Sequence, residues 1–267
     1  MRIKAAILAA GKGSRLCPLT PFLPKEMLPI GGFPAIHHVV KEVVAVGINE
    51  LMVILSEGKE SVRDYFTKSL LVKGNTAHGL SRERDELLSS VKVRFAYQKK
   101  LLGTADAIYT ARDFAGSDPL LVLYPDDLLS WKVEGQSVKT LAALCSLACA
   151  EGVSSLMLRE VPHEDASNYG IVDLMSKKTN GFPYVRNIVE KPIEYKKKHA
   201  YAMLGRMILC TKLLDLIPVL PLNDHDGIIP ALNQEAKAER LIGAVYNGPH
   251  YDIGSHEGYL HAVRSFE

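Results

Sequence analysis

The sequence predicts an α/β protein: a mostly parallel central sheet with helices on both faces. Three observations predict it. Short apolar runs that suit buried strands alternate with segments whose apolar residues recur at helix spacing. The first such run ends in glycine, as suits a buried parallel strand. No internal repeat, low-complexity tract or Pro/Gly/Ser-rich linker interrupts the 267 residues, so one continuous domain over residues 1–267 is the simplest organisation.

Residues 3–10 read as the first strand. Pro34 opens a helix with Ile36, Val39, Val40, Val43 and Val44 on one face and Gly47 past its end, proline leading in and glycine closing. Residues 51–55 form the next strand, 60–66 a helix, 91–97 an alternating strand, 105–114 a helix and 120–124 a further strand. Strand, helix and strand in repetition mean βαβ units, and ligands of such sheets bind beyond the C-terminal strand ends. Three places qualify: the loop after Ala10, the segment around Gln98, and Asp126-Asp127 after Tyr124. The second half is less regular. Strands are expected at 153–161, 169–174, 185–189 and 202–210, a polar turn at 176–181, and helices at 137–150, 212–217 and 256–266.

Composition narrows the function. Hydrophobic residues at 47% and charged residues at 23% allow a packed core and argue against disorder. Lys plus Arg number 32 against 30 for Asp plus Glu, a net charge of +2. That balance excludes a nucleic-acid binder driven by bulk positive charge but leaves room for a local anion pocket. No apolar run approaches the ~18 residues of a membrane span, and the apolar segment 5–10 is shorter than an export signal uses. Cys17, Cys145, Cys149 and Cys210 are too scattered for a disulfide scaffold, so a cytoplasmic location is expected.

The glycine-rich loop carries the strongest chemical signal. Ala9-Ala10-Gly11-Lys12-Gly13-Ser14-Arg15 follows the first strand, and Pro24-Lys25-Glu26-Met27-Leu28-Pro29 comes soon after. Glycines let backbone N–H groups approach a phosphate, and Arg15 and Lys25 add fixed positive charge there. The spacing does not fit a Walker A loop. A dinucleotide fingerprint needs a third glycine where Leu16 stands, which counts against a nicotinamide oxidoreductase.

The string G-x-G-[ST]-R-x-x-P-x-T followed by P-K-E-M-L-P resembles the sugar-nucleotide pyrophosphorylases, nucleotidyltransferases that join a nucleoside triphosphate to a sugar 1-phosphate. Further matches run in order along nearly the whole chain: Gln98 before Leu102-Gly103-Thr104-Ala105-Asp106-Ala107, Tyr124-Pro125-Asp126, Asn168-Tyr169-Gly170-Ile171-Val172-Asp173, Val189-Glu190-Lys191-Pro192, Gly205-Arg206 and Tyr251-Asp252-Ile253-Gly254. Lys25 to Pro29 looks most like the bacterial UTP–glucose-1-phosphate uridylyltransferases. Gly103 to Ala107 looks more like the adenylyl- and thymidylyl-transferring branches. Asn223-Asp224-His225-Asp226-Gly227-Ile228-Ile229-Pro230 stands where the uridylyltransferases carry an acidic Gln-Leu-Thr-Asp segment.

The resemblance implies a Rossmann-like nucleotidyltransferase fold, with a nucleotide half at about 1–130 and a sugar-phosphate half at about 131–267. It implies UTP and glucose 1-phosphate as substrates, pyrophosphate as product, Mg²⁺ as cofactor, no nucleic-acid or membrane partner, and a homo-oligomer. It places Ala10, Gly11, Gly13, Arg15, Lys25, Glu26, Gln98 and Gly103 at the nucleotide, and Gly170, Glu190 and Lys191 at the sugar phosphate. Arg15, Lys25, Asp126 and Lys191 would be catalytic, and Asp126 and Asp252 would hold the metal. Gln98 offers one donor and one acceptor to the edge of a uracil or thymine. Another nucleotidyltransferase of the same fold and a non-catalytic regulatory subunit remain the other readings. His37-His38 lacks partners at metal-ligand spacing, Cys145 and Cys149 read as small buried side chains, and Lys196-Lys197-Lys198 as a solvated helix face.

Overall fold

The computed structural model describes residues 2–68, 79–130, 136–195, 197, 199–220 and 227–266. In chain order the strands are β1 (Lys4–Leu8), β2 (Pro29–Ile30), β3 (Phe33–Pro34), β4 (Glu50–Leu55), β5 (Lys92–Tyr97), β6 (Leu120–Leu123), β7 (Asp127–Leu129), β8 (Ser154–Pro162), β9 (Gly170–Thr179), β10 (Phe182–Glu190), β11 (His199–Leu209), β12 (Leu241–Val245) and β13 (His250–Asp252). The helices are α1 (Ala35–Ala45), α2 (Glu60–Thr67), α3 (Gly79–Ser89), α4 (Gly103–Thr110), α5 (Arg112–Ala115), α6 (Gln136–Glu151), α7 (Thr211–Leu216), α8 (Ile229–Lys237) and α9 (His256–Ser265). The chain forms two compact units, each drawn from separate stretches. One comprises Ala5–Leu101, Leu123–Val138 and Gly248–Glu267; the other comprises Met1–Lys4, Leu102–Val122 and Lys139–Asn247.

In the first unit β5, β4 and β1 lie side by side, all parallel, with Ala5 opposite Leu51 and Leu51 opposite Val93. Helix α1 forms where Pro34 leads in and Gly47, at φ 81°, lies past the end. Its face of Ile36, Val39, Val40 and Val43 is fully buried, each side chain contributing ~1.5–3 kcal/mol by leaving water. That helix packs against the short turn Lys25–Met27 and so fixes a piece of the glycine-rich segment. His37 and His38 lie on its buried side. His37 stacks on Phe33 with ring centroids 3.8 Å apart and bonds Tyr65 Oη at 2.9 Å, while His38 bonds the Ile30 carbonyl at 2.9 Å. Burial lowers the His37 pKa to about 4, so both act as neutral core residues.

In the second unit the strands run β6, β11, β8, β12, β10, β9, and β9 returns to pair with β11, closing five of them into a barrel-like ring. Within the ring β8 and β12 are parallel, whereas β11–β8, β11–β9, β10–β12 and β10–β9 are antiparallel. The sheet is therefore mixed, not mostly parallel. The reason lies in the connections. Strands β9 and β10 are joined by Asn180-Gly181, both at positive φ, a two-residue turn that only antiparallel neighbours can use. The polar stretch 176–179, expected as turn, continues β9 as an exposed, paired strand end.

Other expectations need smaller corrections. The helix at 105–114 is two helices, α4 and α5, separated at Ala111. Lys197 is exposed but lies in a bend, paired with Asp173, rather than on a helix; Lys196 and Lys198 are outside the described residues, as are Asn223 to Asp226. Cys145 is buried in α6, and desolvation pushes its thiol up to about 12, consistent with an inert packing residue. Among the described residues no helix is long and apolar enough to cross a membrane.

Candidate active site

The first unit builds one charged site from the loop after β1. The Ala9 N–H donates to the Ile54 carbonyl at 2.8 Å, continuing the parallel ladder, and Ser56 Oγ donates to the Ala10 carbonyl at 2.8 Å. The loop therefore starts from a fixed point. Gly13 sits at φ 69°, and a Cβ there would lie 2.8 Å from Thr20 Cγ2, so both backbone and space demand glycine. Thr20 Oγ1 donates to the Gly13 carbonyl at 2.9 Å, folding the loop back. Leu16 is fully buried and anchors the turn Ser14–Leu16, which leaves Arg15 pointing outward and 65% exposed.

Lys25 and Glu26 divide the next turn between them. Lys25 Nζ meets Asp126 Oδ2 at 2.5 Å. Burial works to lower its pKa, but Asp126 and Glu26 outweigh that and raise it, so Lys25 is firmly cationic. Glu26, expected at the nucleotide, turns its carboxylate inward. It is wholly buried, one oxygen on Lys59 Nζ at 2.7 Å and Oε1 without a hydrogen-bond partner. Burial raises its pKa, opposed by Lys59 and Lys25.

Strands β7 and β13 bring the two acidic candidates to the same place. Asp252 lies opposite Asp127, and the Ile253 N–H donates to the Asp126 carbonyl at 2.8 Å. Asp252 Oδ1 accepts from the Gly254 N–H at 2.9 Å, and Oδ2 lies 3.6 Å from Arg15 Nη1. A Cβ on Gly254 would sit 2.7 Å from Arg15 Nη2, 2.9 Å from Asp252 Oδ1 and 3.0 Å from Asp126 Oδ2. Only the missing side chain lets these groups converge. Asp127 pairs instead with His250. Helix α9 begins directly behind, capped by Ser255 Oγ accepting the Gly258 N–H at 3.1 Å, and His256 Nε2 bonds the Cys17 carbonyl at 2.9 Å.

The site thus holds two cations and two carboxylates in contact. Two hard carboxylate oxygens facing one small space fit a divalent cation that takes its remaining oxygens from water and phosphate. Among the described residues no third acid, histidine or cysteine joins them. Arg15 and Lys25 supply positive charge for a polyphosphate beside it.

The other expected residues occupy three further places. Gln98 is buried at the end of β5, its N–H donating to the Leu55 carbonyl at 2.8 Å. In the second unit Gly103 opens α4, and Gly170 lies opposite Glu190. A Cβ on Gly170 would stand 3.0 Å from Glu190 Oε2 and 3.3 Å from Met203 Sδ. Lys191 follows at φ 42°, its N–H donating to the Tyr169 carbonyl at 3.0 Å and its Nζ 3.8 Å from Glu190. Sequence reasoning missed Lys59 and Ser56, which act on the loop from behind, and neither carries a local pattern that could have marked it. Thr20 closes the quoted string G-x-G-[ST]-R-x-x-P-x-T but was given no role there.

Fold and site together define a class. The chain belongs to the nucleotidyl transferase family, whose model matches residues 4–267. Among its relatives, a UTP–glucose-1-phosphate uridylyltransferase 1 of Streptococcus pyogenes serotype M3 is 30% identical over 266 residues, covering 96% of this chain and 86% of that protein. A crystal structure of UDP-glucose pyrophosphorylase complexed with UDP-glucose matches with a TM-score of 0.85 and 28% identity, covering 99% of this chain and 98% of the other. The UTP-bound enzyme from Acinetobacter baumannii matches with a TM-score of 0.87 and 27% identity, covering 99% and 93%. A putative glucose-1-phosphate thymidylyltransferase from Bacillus anthracis matches with a TM-score of 0.76 and 25% identity, covering 98% and 94%.

Proposed function

We propose that the chain transfers a uridylyl group from UTP to glucose 1-phosphate, releasing pyrophosphate and forming UDP-glucose. The observation that carries this is the convergence of Arg15, Lys25, Asp126 and Asp252 around Gly254. A phosphate oxygen of the sugar phosphate attacks the α-phosphorus, and the bond from that phosphorus to the bridging oxygen breaks, its electrons leaving with pyrophosphate. Both reactants are polyanions, so catalysis is positioning and charge neutralisation.

Arg15 and the amides of Ala10, Gly11 and Gly13 hold the triphosphate, with Arg15 set to stabilise charge as it builds on the leaving phosphates. Lys25, held cationic by Asp126 and Glu26, reaches the phosphates at the reacting centre. Gln98 and Gly103 read and seat the base, and Glu26 shapes the loop from beneath. Lys191 grips the sugar's phosphate, Glu190 its hydroxyls, and Gly170 leaves room for the ring. Asp126 and Asp252 would hold Mg²⁺, which when bound neutralises phosphate oxygens. The chain works as one nucleotidyltransferase domain, in the cytoplasm, as a homo-oligomer.

Thymidylyl transfer from dTTP is the second reading, favoured by Gly103 to Ala107 and by the thymidylyltransferase match. Thymine differs from uracil by one methyl, worth only ~1–3 kcal/mol in a pocket. The test is pyrophosphate release across a panel of nucleoside triphosphates with glucose 1-phosphate, with and without Mg²⁺. UTP should lead and need the metal. A lead by dTTP selects the second reading, and silence with every pair in folded protein overturns both in favour of a regulatory subunit.

A further inference from the structure

We propose that Asn233 is a positioning residue for the corner that carries Glu190 and Lys191, a proposal that rests on their assignment to the sugar phosphate. Strand β10 pairs with β9 on one side, with Ile188 opposite Val172 and Glu190 opposite Gly170. On its other side β12 meets it at Tyr184 and Ile242. Further along, at Ile188, the side chain of Asn233 on α8 takes the strand's part. Its Oδ1 accepts the Ile188 N–H at 2.8 Å and its Nδ2 donates to the Ile188 carbonyl at 2.9 Å.

One amide thus satisfies both backbone groups of a residue two positions before Glu190. The next turn of chain needs that support. Lys191 holds a left-handed φ of 42° without being glycine, a conformation that survives only where its surroundings impose it. The Lys191 N–H is tied to the Tyr169 carbonyl at 3.0 Å from the β9 side, and Asn233 ties the same corner from the α8 side. Ile229, one turn earlier on α8, lies near Gly170 as well: its Cδ1 would be 3.6 Å from a Cβ there. Helix α8 therefore touches both strands of the corner, through an apolar contact to β9 and a bidentate hydrogen bond to β10.

Asn233 touches no substrate in this scheme; it acts through the direction it gives Glu190 and Lys191. Losing both hydrogen bonds at once predicts roughly a tenfold rise in the Michaelis constant for glucose 1-phosphate. The experiment uses the full chain with Asn233→Ala and Asn233→Asp. The aspartate variant fills the same space and still accepts the Ile188 N–H, but sets an oxygen against the Ile188 carbonyl. Both variants should raise KM for glucose 1-phosphate roughly tenfold, with kcat changed less and direct UTP titration unmoved. A residue that merely filled space would leave the isosteric Asn233→Asp at wild-type KM, and that result overturns the proposal. Equal weakening toward both substrates overturns it too. Lys191→Ala run alongside separates the sources of failure. If it alone raises that KM, the corner assignment stands and Asn233 does not hold it; if neither residue moves it, the assignment of the corner itself has failed.

Discussion

Removing the charge of Lys59 should destabilise the protein in a way that depends on pH, because Glu26 has nowhere else to go. Glu26 is wholly buried, Lys59 is 8% exposed, and they meet at 2.7 Å. In Lys59→Met the carboxylate keeps its burial and loses its nearest counter-charge, and Oε1 already has no hydrogen-bond partner. Breaking a buried pair from one side typically costs about 3–5 kcal/mol. With an unfolding slope of about 3 kcal/mol per molar urea, the midpoint should fall by about 1–1.7 M. The sign of the pH effect follows from burial, the largest cause of the shift, which lifts Glu26 above its ordinary 4.5 in the folded protein. The folded state then binds the proton more tightly than the unfolded chain, so stability is lost as pH rises from the unfolded pKa through the folded one. Taking away Lys59 lifts the folded value further and widens that window upward. The deficit of Lys59→Met should therefore be small near pH 4.5 and largest above neutrality, and Glu26→Gln added to it should recover most of the loss. Urea titrations at pH 5, 7 and 8 measure this. A deficit below about 1 kcal/mol at pH 8, or one equal at all three values, would refute the buried-charge argument.

Three further outcomes are expected. Gly254→Ala places its methyl against the ends of Arg15, Asp252 and Asp126, so it should cut turnover severely while leaving the unfolding midpoint near wild type. Gly258→Ala meets the Asp252 carbonyl oxygen at 1.8 Å and should instead be poorly folded, as thermal denaturation of the pair will show. Asp126→Asn and Asp252→Asn should each lose most turnover and need more Mg²⁺; wild-type kinetics at limiting metal in either would remove that residue from the metal site. Gln98→Ala should weaken UTP in direct titration and blunt discrimination among bases, whereas Lys191→Ala should raise KM for glucose 1-phosphate and leave UTP affinity nearly intact. Loss of UTP binding in Lys191→Ala would contradict that division.

What could be read from the sequence was what local rules determine. Helix α1 announces itself through Pro34, its buried apolar face and Gly47, and the observed Ala35–Ala45 needs nothing from elsewhere. The parallel strands β1, β4 and β5 are apolar or alternating runs separated by helices, and they were legible for the same reason. The antiparallel second unit was not. Its strands β9 and β10 carry exposed Lys177, Lys178 and Arg186, so polarity masked their length, although Asn180-Gly181 is a hairpin signal. Helix α8 was missed although Ile229, Leu232 and Ala236 recur at helix spacing on its buried side and Pro230 falls in its first turn, where proline starts a helix. Among the site residues, Arg15, Lys25, Asp126 and Asp252 stand in quotable motifs and do come together. The direction of a side chain is another matter: nothing in Lys25-Glu26 says that one charge turns to Asp126 and the other to Lys59. That depends on Lys59, thirty-three positions away.

The interleaving of the two units has a consequence for how the molecule can be cut and made. The chain passes between them after residues 4, 101, 122, 138 and 247, so neither corresponds to a continuous piece of polypeptide. Expressing residues 5–101 alone would yield a glycine-rich loop without Asp126, Asp252 or the helix that ties down Cys17. Residues 248–267 are needed by a unit that begins at Ala5, so the glycine-rich loop has its full set of charged neighbours only when almost the entire sequence is available. Modular borrowing of either half, by an engineer or by recombination, should therefore fail at the level of folding, and a nick in the peptide at residue 101 or 138 should be better tolerated than a deletion of either side.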